Sequence, residues 1–131
     1  IDKVIMPEAK ESLVLCDRYI DSSFAYQGYA RGLGLDLVSE INRYALENCM
    51  PEFTVFIDMR PSESWRKQKG RIVENDRMEG EAAEFHQKVY EGFKALSELH
   101  PERFITVVPC EDRNETAKII REELIKRGAI R

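Results

Sequence analysis

The sequence predicts an α/β protein in which a parallel sheet is flanked by helices. Three short runs, residues 13–17, 53–58 and 104–108, are almost continuously apolar and rich in β-branched and aromatic residues. Such runs are typical of strands that are buried on both faces. Segments with apolar residues at helical spacing lie between them. Strands that alternate with helices indicate a mostly parallel sheet covered by helices.

The first two predicted strands each end in a carboxylate, Asp17 and Asp58. In sheets of this kind, ligands bind outside the carboxyl ends of the strands. Two segments, residues 28–34 and 66–80, fit neither strand nor helix periodicity. We therefore expect the functional residues to lie in these irregular segments and directly after the strands.

Three helices are predicted from their apolar stripes. The first covers residues 37–45 and the second covers residues 85–99. The last is expected to begin at Asn114, a favourable N-cap, and to stop at Gly128.

Length and composition exclude several classes of protein. The 131 residues suffice for a single domain, 1–131, and the net charge of −4 argues against a general nucleic-acid binder. Apolar runs fall short of the roughly 18 residues that span a bilayer, and no signal-peptide pattern opens the sequence. Cys16, Cys49 and Cys110 are far apart and form no C-x-x-C pair. We expect a cytoplasmic protein with reduced cysteines and neither a membrane nor a nucleic-acid partner.

The sequence opens with Ile-Asp-Lys-Val-Ile-Met-Pro, without an initiator methionine and with the pattern of a helix interior. Three predicted strands are also fewer than the roughly five or six of a typical sheet. Both observations lead us to expect the later part of a longer protein.

The first motif is Asp17-Arg18-Tyr19, at the end of the first predicted strand. An arginine can present its planar guanidinium to a phosphate, and a neighbouring aspartate can orient a metal ion, water or hydroxyl. Taken alone, the tripeptide more often forms an ion pair that caps a strand.

The second motif is the helix predicted to begin near Asp21. Ser23, Tyr26 and Gln27 are three and four residues apart, so they share one face of an α-helix. The amide of Gln27 donates and accepts hydrogen bonds at once, as a nucleobase edge requires. The alternative is an ordinary helix start with Tyr26 packed inward.

The third motif is a basic stretch between Trp65 and Gly80. Residues 66–77 contain five basic and two acidic side chains. A cationic lid of this kind can stabilise the charge of a phosphoryl group in transfer. A solvated basic loop is the alternative.

Two other active-site patterns are missing from these 131 residues. The sequence contains no G-x-x-x-x-G-K-[ST] motif to cradle ATP phosphates. It also lacks G-x-S-x-G, and neither His86 nor His100 lies near a nucleophile motif.

Residues 16–34, CDRYIDSSFAYQGYARGLG, closely resemble the D-R-[YFH]-x-x-S-S-x-A-Y-Q-G-x-x-R-G motif of the bacterial thymidylate kinases. The resemblance continues through a strand that ends in Asp58, a turn at Pro61 and a lid that contains residues 76–79. It then reaches the helix with Phe85, Val89 and Tyr90 and covers essentially the whole chain.

This resemblance implies a P-loop nucleoside monophosphate kinase fold whose N-terminal strands and P-loop lie outside these residues. It implies transfer of the γ-phosphoryl group of ATP to dTMP, with Mg²⁺ and in a homodimer. The apolar stripe of residues 37–45 could form the dimer contact or belong to the core. The chain alone, as an acceptor-site and lid portion, is not expected to be a competent kinase.

The resemblance also implies roles for individual residues of the acceptor site. Arg18 corresponds to the arginine that grips the phosphate of dTMP. Ser23 and Gln27 match positions that contact thymine, and Tyr26 matches the tyrosine against the deoxyribose. Arg31 matches the arginine of the Y-Q-G-x-x-R-G motif and is expected to bind substrate.

Catalytic roles are implied for Asp17 and for the lid, about residues 66–80. Asp17 matches the carboxylate near the reacting phosphates and magnesium. Arg66, Arg71, Asp76 and Arg77 fall in the lid, with Arg71 and Arg77 preferred for the transferring phosphoryl group.

Two alternatives remain open from the sequence. One is a related nucleoside or nucleotide kinase with another acceptor. The other is a non-catalytic nucleotide-binding module, suggested by the missing P-loop motif.

Overall fold

The computed structural model describes the backbone of residues 1–68 and 76–130 and the side chains of residues 1–64 and 82–130. In these residues a π-helix, Phe24–Ala30, follows the second α-helix directly. The α-helices and strands are α1 (Ile5–Glu8), α2 (Ile20–Ser23), α3 (Leu35–Ile41), α4 (Arg43–Asn48), β1 (Thr54–Ile57), α5 (Pro61–Gln68), α6 (Asp76–Leu99), β2 (Phe104–Val107) and α7 (Arg113–Lys126).

Strands β1 and β2 pair in parallel, with Thr54 opposite Phe104 and Ile57 opposite Val107. Parallel neighbours need a crossover connection, which α5 and α6 provide here. The predicted strands at residues 53–58 and 104–108 therefore form, and the parallel sheet flanked by helices is confirmed. Burial on both faces is not found for β1, because Val55 and Ile57 are exposed.

The strand predicted at residues 13–17 does not form. Residues 13–16 have no regular secondary structure and no ladder partner in the part of the chain that the structure describes. An unpaired segment has neither the backbone hydrogen bonds nor the side-chain neighbours of a sheet strand. Leu13 and Leu15 are consequently exposed, and they line an open cleft of about 460 Å³ against Ile120 and Leu124 of α7.

Two helix boundaries differ from the prediction. The apolar stripe of residues 37–45 is divided between α3 and α4 at Asn42, whose side chain donates to the carbonyl oxygen of Val38 at 2.8 Å. Such side-chain bonds compete with helix continuation. Helix α7 is capped by Asp112, which accepts from the amide of Asn114 at 2.9 Å, so Asn114 is not the N-cap. Its end agrees with the prediction, because Gly128 adopts the positive φ of a helix C-terminus.

The two segments predicted to be irregular are partly helical. The π-helix extends to Ala30, so the irregular connection is limited to residues 31–34. Helix α5 continues to Gln68, and α6 begins at Asp76, so most of the predicted lid belongs to helices. Residues 69–75 lie outside the described part of the chain.

The core lies between the sheet, α6, α2 and the π-helix. Phe56 of β1 stacks on Phe93 of α6, with ring centroids 5.5 Å apart. The buried apolar side chains of this core are Ile20, Phe24, Ala25, Val38, Ala45, Phe56, Val89, Leu96 and Phe104. This packing fixes α6 against the π-helix. No helix among the described residues has the length and apolar character needed to cross a membrane.

Candidate functional site

Arg18 has an unusual backbone conformation, with φ of 67°. It is the only non-glycine residue with positive φ in the described part of the chain. Such a conformation is unfavourable for a residue with a side chain and persists only where its surroundings fix it. The Arg18 guanidinium carbon lies 5.2 Å from the ring centroid of Tyr26. The residue is exposed, so its donors remain accessible to an anion.

The π-helix carries the next group of predicted site residues. Ser23 ends α2, and Tyr26 and Gln27 lie on the π-helix that continues it. A π-helix closes hydrogen bonds between residues five apart, so its side chains are spaced differently from those of the predicted α-helix. Tyr26 is half-buried, whereas Gln27 is exposed. Helical π segments are frequent at functional sites.

Two aromatic rings, each contacted by an arginine, join the π-helix to α6. The edge of Tyr26 meets Phe85 at a centroid distance of 5.9 Å and an interplanar angle of 66°. The guanidinium carbon of Arg31 lies over the Phe85 ring, 5.7 Å from its centroid. We call Arg18, Tyr26, Phe85 and Arg31 the cation–aromatic row. It presents two exposed guanidinium groups on one aromatic support, which suits a ligand with a negative charge and a planar ring.

Asp58, at the carboxyl end of β1, is engaged by α6. Tyr90 donates its hydroxyl to Oδ1 at 2.6 Å, and Lys94 donates Nζ to Oδ2 at 3.1 Å. The hydrogen bond from Tyr90 is the main cause that lowers the pKa of Asp58, and it raises the pKa of Tyr90 in return. Asp58 is therefore an ionised acceptor that fixes α6 to the sheet.

Comparison with known proteins identifies the family. The sequence model of thymidylate kinase matches residues 1–124. The chain belongs to the thymidylate kinase family. It is 42% identical over 128 residues to the thymidylate kinase of Mycoplasmopsis agalactiae, covering 96% of this chain and 59% of that protein. It is also 42% identical over 132 residues to that of Bacillus cereus strain Q1, covering 95% of this chain and 62% of the relative.

The structural comparison agrees with this assignment. The crystal structure of thymidylate kinase from Ehrlichia chaffeensis matches with a TM-score of 0.63 and 25% identity, over 98% of this chain and 58% of the other. The predicted P-loop nucleoside monophosphate kinase fold is thereby confirmed. The chain spans about three-fifths of the length of these thymidylate kinases.

Asp17, predicted to lie near magnesium, is exposed in the bend before Arg18. The described residues contain no group of three His, Cys, Asp or Glu side chains that could enclose a metal ion. Mg²⁺ commonly binds one or two carboxylates, several waters and substrate phosphates. Asp17 is an exposed carboxylate of the kind that such a site uses.

The predicted lid residues are only partly located. Arg66 lies on α5, and Asp76 and Arg77 lie in the first turn of α6, but their side chains fall outside the described part. Arg71 lies entirely outside it. The roles of these four residues remain predictions.

Several contacts of this site were not predicted from sequence. The sequence indicates Phe85 only as part of a helix motif. Its contacts with Tyr26 and Arg31 depend on the packing of α6. Lys94 had no local sequence signal, because Asp58 is 36 residues away. A carboxylate at a strand end and basic residues on the following helix would be the pattern to look for.

Proposed function

We propose that the protein containing this chain transfers the γ-phosphoryl group of ATP to dTMP, which gives dTDP and ADP. The observation that carries this proposal is Arg18, held at positive φ over the Tyr26 ring in the segment most similar to the thymidylate kinase motif. The family match over residues 1–124 supports the same reaction.

The cation–aromatic row supports a binding mode for the acceptor. The guanidinium of Arg18 would bind the 5′-phosphate, and the Tyr26 ring would lie against the deoxyribose. Ser23 and the exposed amide of Gln27 would contact the thymine edge, where paired donors and acceptors discriminate between bases. Arg31 adds a second positive charge over the Phe85 ring.

Transfer of the phosphoryl group depends on position and charge. In such reactions the protein aligns donor and acceptor and neutralises the charge on the transferring oxygens. We assign that neutralisation to Arg71 and Arg77, with Arg66 and Asp76 as further lid residues. When bound, Mg²⁺ would neutralise the phosphates of ATP, and Asp17 is the residue of this chain proposed to hold it.

We further propose that the protein is a cytoplasmic homodimer. The outer side of α3 and α4 supports this, since Leu37, Ile41 and Tyr44 are 48%, 70% and 55% exposed. Val38 and Ala45 of the same stripe are buried in the core. The stripe therefore contributes to the core and leaves an apolar outer face that a second copy could cover.

An acceptor panel tests the proposed reaction. Because the chain spans about three-fifths of its relatives, the assay uses the natural full-length protein and follows ADP release from ATP. We expect the highest kcat/KM with dTMP among dTMP, dUMP, dCMP and dGMP. A clear preference for another monophosphate would assign a different acceptor, and ADP release independent of any acceptor would contradict the proposal.

A further inference from the structure

Three polar residues that are distant in sequence form a buried cluster at the amino ends of the strands. Arg103 donates Nη1 to Asp21 Oδ2 and Nη2 to Asp21 Oδ1, both at 2.7 Å. The Thr54 hydroxyl donates to the same Oδ2 at 2.6 Å and accepts from Arg103 Nη1 at 2.9 Å. We call these residues the Asp21 cluster.

The charged side chains of the Asp21 cluster are largely buried, and their contact geometry is specific. The side chains of Asp21 and Arg103 are only 6% and 11% exposed. The guanidinium of Arg103 also lies 4.9 Å from the centroid of Phe104. Burial of two charges is expensive, and apolar replacements often give equal stability, so stability alone is a weak reason for such a pair. A bidentate planar contact fixes orientation, which lysine cannot reproduce.

The pair orients the start of the helical segment of residues 20–30, in which the π-helix continues α2 directly. Helix α2 has only four residues, and Tyr19 at its N-cap makes no side-chain capping bond. Arg18, two residues before the helix, has positive φ. Short helices depend on tertiary contacts rather than on their own hydrogen bonds. The apolar contacts of Ile20 and Phe24 bury the segment but are not directional.

We propose that Arg103 is a positioning residue of the acceptor site. Through Asp21 it fixes the orientation of α2, and thereby of Arg18 before the helix and of Tyr26 on the π-helix after it. Thr54 begins β1 and Arg103 immediately precedes β2, so the contact attaches the start of α2 to the sheet. This inference rests on the proposed dTMP kinase activity for its kinetic test.

The variant that tests the proposal is Arg103→Lys, which keeps the charge and loses the two parallel donors. We expect the KM for dTMP to rise about tenfold or more, since small displacements of positioning groups have large kinetic effects. The KM for ATP should stay unchanged. Arg127→Lys is the matched control, because Arg127 also lies over a ring, that of Phe53, and donates to the carbonyl of Glu102 without contacting Asp21.

A merely structural role would give a different result. Arg103→Lys would then lower the melting temperature and leave the KM for dTMP at the wild-type value, which would overturn the proposal. If Arg103→Lys fails to fold, the neutral pair Asp21→Asn with Arg103→Gln avoids a buried unpaired charge. This double variant should also raise the KM for dTMP and leave the KM for ATP unchanged. An unchanged KM for dTMP would again overturn the inference.

Amide hydrogen exchange separates this inference from the proposed activity. In Arg103→Lys, the amides of residues 20–30 should exchange faster than in wild type, while those of α7 keep their rates. Unchanged exchange in residues 20–30 would overturn the positioning role. Wild-type protein that phosphorylates no dTMP would instead contradict the proposed function, and the exchange experiment would still decide the role of Arg103.

Discussion

Gly92 of α6 lies so close to Tyr29 of the π-helix that a Cβ atom at Gly92 would be 2.9 Å from the Cβ of Tyr29. The same atom would be 3.2 Å from the Cα of Ala25. The close approach of these two helices therefore depends on the missing side chain, and it places Phe85 of α6 against Tyr26.

Gly92→Ala should destabilise the protein by about 1–2 kcal/mol, because overpacking exceeds the gain in helix propensity. Chemical denaturation measures this change. Gly28→Ala is the control: its Cβ would meet the flexible end of Leu35 at 3.0 Å, so we expect a smaller loss. Equal stability of Gly92→Ala and wild type would show that α6 and the π-helix can separate without penalty.

Arg18→Ala should weaken the binding of dTMP by about 10–100-fold, since a charged hydrogen-bond contact contributes about 1.5–3 kcal/mol. Binding of thymidine, which has no phosphate, should change little. Calorimetry of both ligands measures the difference, with the exposed Arg113→Ala as the control for lost charge. Equal loss for dTMP and thymidine would mean that Arg18 does not bind the phosphate.

Tyr90→Phe should make the protein more sensitive to acid. The pKa of Asp58 is lowered in the folded state, so its contribution to stability is present above the usual carboxyl range and is lost as pH falls through the folded pKa. Removal of the Tyr90 hydroxyl raises that pKa, and acid unfolding should begin at a higher pH. At neutral pH, Tyr90→Phe should lower the free energy of unfolding by about 1 kcal/mol.

The control for this titration is Lys88→Met. Lys88 pairs with Glu84 on the exposed side of α6, where the partners are 52% and 71% exposed. Exposed pairs contribute little to stability. Acid unfolding of Lys88→Met should therefore follow that of wild type. An unchanged acid midpoint in Tyr90→Phe would contradict the role of the Tyr90–Asp58 hydrogen bond.

Tyr19→Phe should be tolerated, within about 1 kcal/mol of wild type, because the buried Tyr19 hydroxyl makes no hydrogen bond within the described residues. Burial, followed by the neighbouring Cys49 thiol, raises the pKa of Tyr19 to about 12. Stability linked to this group is complete below pH 10 and is lost as pH rises towards 12. Alkaline unfolding should therefore move to higher pH in Tyr19→Phe.

The exposed Tyr29 gives the control for this measurement. Tyr29→Phe retains the ring at the α6 contact and removes a hydroxyl from a side chain that is 40% exposed. An alkaline midpoint shared by both variants and wild type would contradict a raised pKa at Tyr19.

The parts of the fold that depend on local pattern could be predicted from sequence. Residues 53–58 and 104–108 have the apolar, β-branched composition of strands, and they pair with each other. The resemblance of residues 16–34 to the thymidylate kinase motif also lies in contiguous residues. Each of these signals lies within a short stretch of the chain, where periodicity and motif are visible.

Other features depend on contacts between distant residues. Asp21 and Arg103 are 82 residues apart, and neither has a local pattern that indicates a partner. Residues 13–17 have the composition of a strand, yet a strand also needs a neighbour, which the described residues do not supply. Neither the π-helix nor the positive φ of Arg18 follows from a local residue pattern.

The central claim is that dTMP receives the γ-phosphoryl group of ATP. The most direct test follows the natural full-length protein with ATP and dTMP by ³¹P nuclear magnetic resonance. We predict that dTDP and ADP appear together in equal amounts and that Arg18→Ala slows both. Inorganic phosphate and ADP without dTDP would contradict the account.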